Sequence, residues 1–237
     1  LKLYSADWLI LEDLVFENCW PSAVFIRGCK DILIRDCHIT GSRFAVYARN
    51  RLALRKCRRL TLDGLTWVQD PDRDMWEGRT TWEDVKQEAP TKKDARYFNG
   101  ALFGSYDIKG PVVIRNCDVS HAFNAVRLDA RNNNALRGRN RDILIENNRF
   151  SFIRDNGVEP EKTARNMWVV GNRFFNVHGA FPWTVFPAGI GISSTTGCSM
   201  WRRRAIRTSR TAVARYSSST RKRPSPMPPS RCCITRF

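Results

Sequence analysis

An eight-residue phrase returns six times in this 237-residue chain, and its period constrains the fold more than any single residue does. It reads LILEDLVF from Leu9, ILIRDCHI from Ile32, LTLDGLTW from Leu60, VVIRNCDV from Val112, ILIENNRF from Ile143 and MWVVGNRF from Met167. The starts lie 23, 28, 52, 31 and 24 residues apart. Within each copy, apolar residues alternate as in a strand with one buried face, then meet a small or polar residue suited to a turn. A single unit of this size cannot bury its apolar face, but stacked units can. The pattern therefore predicts a solenoid rather than a globular core.

A second phrase follows at a nearly constant distance. It reads SAVFI (Ser22 to Ile26), FAVYA (Phe44 to Ala48), NGALF (Asn99 to Phe103), NAVRL (Asn124 to Leu128) and NGVEP (Asn156 to Pro160). Its centre lies 14 or 15 positions after the octet begins, at Val24, Val46, Val126 and Val158. Two short strands per coil are expected from this spacing. Together the phrases resemble the pectate-lyase-like superfamily, over Leu1 to about Phe181. The resemblance implies an all-β, right-handed, single-stranded parallel β-helix of about seven rungs. In the enzymes of that superfamily the substrate groove lies along an outward sheet face. The resemblance is specific for fold and says little about activity.

The composition changes after Phe181. Residues 182–237 hold 11 Lys and Arg, no Asp or Glu, and more than half of the chain's eleven prolines, and the octet is not found there. One reading is a basic, disordered arm that binds nucleic acid. The preferred reading is a lost nucleotide near codon 182. With one base restored, Pro182 to Ser193 can be read as SLDGVSGGHWYL, and the frame continues through VDNRLFDV. The segment YLVDNRLFDV mirrors Trp168 to Val177 one rung later. On this view a β-helix domain spans residues 1–181, and residues 182–237 are an aberrant, disordered Arg- and Pro-rich tail. The formal charge of +17 then misleads: residues 1–181 carry 29 basic and 23 acidic side chains, a net of +6. That remainder gives little support for a nucleic-acid partner.

The chain opens on Leu1 in mid-rung, so a fragment without its natural cap is expected, with possible end-to-end self-association through uncapped rungs. No stretch approaches the roughly 18 apolar residues of a membrane span, and no signal peptide is visible. A secreted, periplasmic or cell-surface location is expected for the intact parent. Five cysteines precede the tail: Cys19, Cys29, Cys37, Cys57 and Cys117. Their number is odd, and Cys37 and Cys117 fill the same octet slot, so stacked small residues explain them better than disulfides.

Alternation sends the central valines inward and their +1 and +3 neighbours outward. Rungs stack about 4.8 Å apart, so these positions form columns. The +1 column is expected to run Phe25, Tyr47, Leu102, Arg127, Glu159. The +3 column is expected to run Arg27, Arg49, Gly104, Asp129, Glu161, with Lys162 next in sequence. Such a face suits an acidic, extended polysaccharide. Arg27, Arg49 and Arg127 offer guanidinium forks to uronate carboxylates, and Phe25 and Tyr47 offer stacking faces. Asp129, Glu159 and Glu161 are candidate Ca²⁺ ligands. The plainer reading stands beside this one: charged outward columns occur on any soluble β-helix, where unlike charges on neighbouring rungs simply pair.

Uronate polymers are cleaved by β-elimination when a base takes the C5 proton and a cation stabilises the carboxylate. Arg127, Lys162 and His121 are the candidate bases. Glu159 and Glu161 beside Lys162 would raise its pKa unless Ca²⁺ took up their charge. DNGVEPEK (Asp155 to Lys162) loosely resembles the acidic cluster followed by Lys of some polysaccharide lyases. Glycoside hydrolysis through Asp129 and Glu161, or Glu159 and Glu161, stays open. His38, His121 and His178 show no metal-ligand spacing. An insertion at residues 69–98 carries DPDRD (Asp70 to Asp74), which fails the EF-hand pattern, and TTWEDVKQEAP, a predicted short helix with a Thr80/Glu83 capping box. The function expected is recognition or lyase-like cleavage of an acidic polysaccharide. A non-catalytic β-helix for carbohydrate binding or surface adhesion is the alternative.

Overall fold

A computed structural model of the chain describes residues 1–50, 57–71, 99–129, 140–160 and 165–182, and the strands Ile190–Ser194, Cys198–Met200 and Ala212–Ala214. The described residues form a parallel β-helix. Its first sheet stacks β1 (Lys2–Tyr4), β4 (Ser22–Arg27), β7 (Phe44–Arg49), β10 (Ala101–Tyr106), β13 (Asn124–Asp129) and β16 (Val158–Pro160). The second stacks β2 (Asp7–Glu12), β5 (Lys30–Arg35), β8 (Arg58–Asp63), β11 (Val112–Arg115), β14 (Arg141–Glu146), β17 (Arg165–Val170) and β19 (Ile190–Ser194), with β21 (Ala212–Ala214) antiparallel at its end. The third stacks β3 (Val15–Glu17), β6 (His38–Thr40), β9 (Thr66–Val68), β12 (Asp118–Ala122), β15 (Arg149–Asn156), β18 (Arg173–Gly179) and β20 (Cys198–Met200). One strand from each sheet in turn makes a coil.

The coil thus has three strands, where the spacing predicted two. The reason is that the octet is not one strand. Its first four residues end a strand of the second sheet, its fifth bends the chain, and its last residues begin a strand of the third sheet. The fifth residue is Asp13, Asp36, Gly64, Asn116, Asn147 or Gly171, always at a φ between +52 and +68°. Asp, Asn and Gly are the residues that enter this left-handed region at least cost, so the bend is written into the repeat. The octet register itself is as the sequence reads. Leu9, Ile32, Leu60, Val112, Ile143 and Met167 face one another directly across the second sheet.

Inward side chains from the three sheets fill the lumen. Ile32, Leu60, Val112, Ile143 and Met167 form one buried row, and Val24, Val46, Phe103, Val126 and Val158 form another. The sixth octet position caps the bend from within. Cys37, Leu65 and Cys117 are buried there, and then Asn148 and Asn172. Cys19, Cys29, Cys37, Cys57 and Cys117 are free thiols. The two asparagines form a ladder: Asn148 accepts from the Cys117 amide at 2.9 Å, and Asn172 accepts from both the backbone and the side-chain amide of Asn148.

The interval of 52 residues does not disturb the stack. Trp67 of β9 still faces Val119 of β12, so the extra residues leave the coil at the corner between the third and first sheets. Beyond Pro182, β19 and β20 extend the second and third sheets to seven coils. The predicted insertion helix, most of the DPDRD segment and the remainder of the tail lie outside the described residues.

A candidate ligand groove on the first sheet

Outward residues of the first sheet define the candidate site. Val24, Val46 and Val126 point inward as predicted, and Phe103 faces Val46 and Val126. This corrects the expected columns in one coil. NGALF was matched to NAVRL by residue type, but Ala101, not Asn99, lies opposite Asn124. Leu102 is therefore not an outward residue of the column. It is fully buried, level with Ala45 and Ala125 in the neighbouring strands. The +1 column runs Lys2, Phe25, Tyr47, Gly104, Arg127, Glu159, and the +3 column runs Tyr4, Arg27, Arg49, Tyr106, Asp129.

The corrected register opens a gap. Gly104 sits between Tyr47 and Arg127, and above it lies a cavity of about 340 Å³ lined by Phe25, Phe44, Tyr47, Arg43, Arg127 and Asp129, among others. The aromatic wall is continuous. Tyr4 meets Phe25 edge-on at 5.9 Å, Phe25 stacks on Tyr47 at 6.1 Å and 17°, and Phe44 tilts against Tyr47 at 4.8 Å. Burial on this wall pushes the Tyr47 phenol above its usual pKa. Gly104, expected in the +3 column, stands in the +1 column, and Phe44, Arg43 and Asn99 carry no role in the sequence reading. Phe44 stands at the strand-entry position filled by Ser22 and Ala101 in adjacent coils, and that break in residue type was the available signal.

Two kinds of cation border the groove. Arg27 and Arg49 face each other directly in the +3 column. Their Nε atoms are buried without a hydrogen-bond partner, and neither makes an ion pair among the described residues. Arg49 instead lies 5.8 Å from the Tyr106 ring centre. Arg127 is held differently. Its Nη1 donates to Asn99 Oδ1, and its Nε lies 3.6 Å from Glu159 Oε2, which also accepts from Asn124 at 2.9 Å.

The other candidates are dispersed. His121 belongs to β12 on the third sheet, buried, with its ring stacked on Phe152 at 4.6 Å, so it does not share a face with Arg127. Lys162 and Glu161 lie outside the described residues. Of the candidate Ca²⁺ ligands that are described, Glu159 is engaged by Asn124 and Arg127, and Asp129 belongs to the other column. Among the described residues no three metal-ligating side chains gather. Among the described residues no helix is long and apolar enough to cross a membrane. No family model, curated protein or solved structure matches the chain.

Proposed function

We propose that the first-sheet groove recognises an acidic, extended polysaccharide. The observation that carries this reading is the Arg27–Arg49 pair. Like charges directly opposite on neighbouring strands repel, and an alternation of sign along a column relieves this. The second sheet does so: Glu12, Arg35, Asp63, Arg115 and Glu146 alternate in sign along one column, with Arg115 2.8 Å from Asp63. The first sheet keeps its two arginines unopposed beside an aromatic wall. Guanidinium forks at the spacing of successive coils, next to rings for pyranose stacking, suit a polymer that bears a carboxylate on each sugar.

The described lining supplies rings, guanidinium groups and one carboxylate, so recognition is the part of the reading that the geometry favours. Cleavage by β-elimination would use Arg127 to neutralise the uronate and a base from outside the described residues, for which Lys162 is the sequence's candidate. The test is to titrate the chain with pectate, alginate and hyaluronan, with and without Ca²⁺, while following the ultraviolet absorbance of unsaturated uronate. Saturable binding without a rise in absorbance supports recognition, and binding with a rise supports a lyase. No binding to any of the three rejects the groove.

A further inference from the structure

Three successive coils meet at Asn99. Its backbone carbonyl accepts from Arg43 Nε of the preceding coil at 3.0 Å, and its side-chain Oδ1 accepts from Arg127 Nη1 of the following coil. Both arginines line the cavity above Gly104, the outward residue of the coil to which Asn99 leads. Without the Asn99 side chain the backbone carbonyl still holds Arg43, but Arg127, two coils or about 9.6 Å of strand spacing from it, loses this tie. Arg43 is also fixed from the ring side, 5.3 Å from the Phe44 centre. Glu159, on the Nε side of Arg127, offsets part of its charge, and Asp129 lines the same cavity.

We propose that Asn99 is a positioning residue that draws Arg43 and Arg127 together into a single anion-accepting subsite over Gly104, distinct from the Arg27–Arg49 pair. The proposal rests on the groove binding an acidic polymer, and it adds where one carboxylate of that polymer enters. Phe44 and Tyr47 lean into the space a Gly104 side chain would take, and the cavity that they line with Arg43 and Arg127 gives the carboxylate room. Arg43 and Arg127 donate from opposite neighbouring coils, and Asp129 accepts from a hydroxyl of the same sugar. Donors already fixed before binding lose less freedom on capture, so Asn99 contributes without touching the ligand.

The experiment measures affinity for pectate, alginate and hyaluronan and for the methyl ester of each. The wild-type chain is expected to prefer the acid of at least one polymer over its ester. Asn99→Ala is expected to lower affinity for that acid about tenfold and leave the ester unchanged, as loss of a charge-assisted contact would. Asn99→Asp keeps the acceptor and the shape but adds a charge that competes with the ligand. It should lose the same preference with an unchanged thermal midpoint. Equal loss for acid and ester in both variants would mean that Asn99 is merely structural, and an undiminished preference would overturn the proposal outright. A wild-type chain that binds some polymer without preferring its acid also overturns it but leaves the groove standing. A chain that binds none removes the groove as well.

Discussion

Gly104 is the one +1 position among the described residues that carries no side chain, and its neighbours use the space. A Cβ there would come within 2.6 Å of the Phe44 ring and 2.8 Å of Tyr47. Gly104→Ala should therefore shift both rings and fill part of the cavity, costing about 1–3 kcal/mol of stability, as overpacking does. Polymer affinity should fall with it, and chemical denaturation together with titration measures both. Arg49→Ala separates the two effects. Removing one of two facing cations relieves a repulsion of about 0.2–1 kcal/mol while forfeiting a cation–π contact of about 0.5–1 kcal/mol. Stability should thus stay nearly constant while affinity for the acidic polymer drops. Arg173→Ala, at an exposed position on the third sheet, should change neither. A parallel fall for Arg49 and Arg173 would show that the wrong face was chosen.

At the level of the strand and bend, the repeat was legible because chemistry and geometry coincide there. The fifth octet residue must enter the left-handed region, and only Asp, Asn and Gly stand at it. The strand count was less legible, because a bend made by one such residue does not interrupt apolar alternation as a loop would. The groove was legible in its unlike members, Phe25, Tyr47, Arg27, Arg49 and Arg127. It was misread at Leu102 because the Asn-Gly of NGALF imitates that of NGVEP two residues out of step. Asn99 could not be found from sequence, since its role lies in contacts with coils 56 residues before it and 28 after it. The asparagine ladder makes its own prediction. Asn148→Ala leaves the Cys117 amide without its buried acceptor and takes one donor each from the Ile114 carbonyl and Asn172 Oδ1, which should cost about 2–4 kcal/mol. Asn116→Ala removes an exposed hydrogen bond to Asp63 and forces alanine into a positive φ, a cost of about 1–2 kcal/mol. The order of the two in urea unfolding checks the ladder.

Across the whole molecule, buried thiols couple stability to pH. Burial pushes Cys57 up to about 11 and Cys117 up to about 12. In the unfolded chain these thiols lose their protons near pH 8.5. The folded pKa is raised, so the contribution is complete below pH 8.5 and is lost as pH rises through 11 to 12. The slope should be about 1.4 kcal/mol per pH unit for each thiol within that window. Equilibrium unfolding at pH 8, 9.5 and 10.5 would show it, and Cys57→Ala with Cys117→Ala should flatten the curve. Strand pairing also continues on either side of the insertion. Joining Pro71 to Asn99 through one or two glycines, in place of residues 72–98, should preserve the melting transition, since the neighbouring coil crosses the same corner between Thr40 and Phe44 with three residues.

That corner carries an evolutionary consequence. Trp67 and Val119 keep their partnership across the longest interval in the repeat, and Asn99, which ties the two arginines, is the first described residue where the chain re-enters the stack. Sequence spliced in, lengthened or exchanged at this port would then enter beside the candidate groove while the pairing of the coils is kept. Descendants of such a chain would diversify what they bind by trading inserts at one port rather than by rebuilding coils.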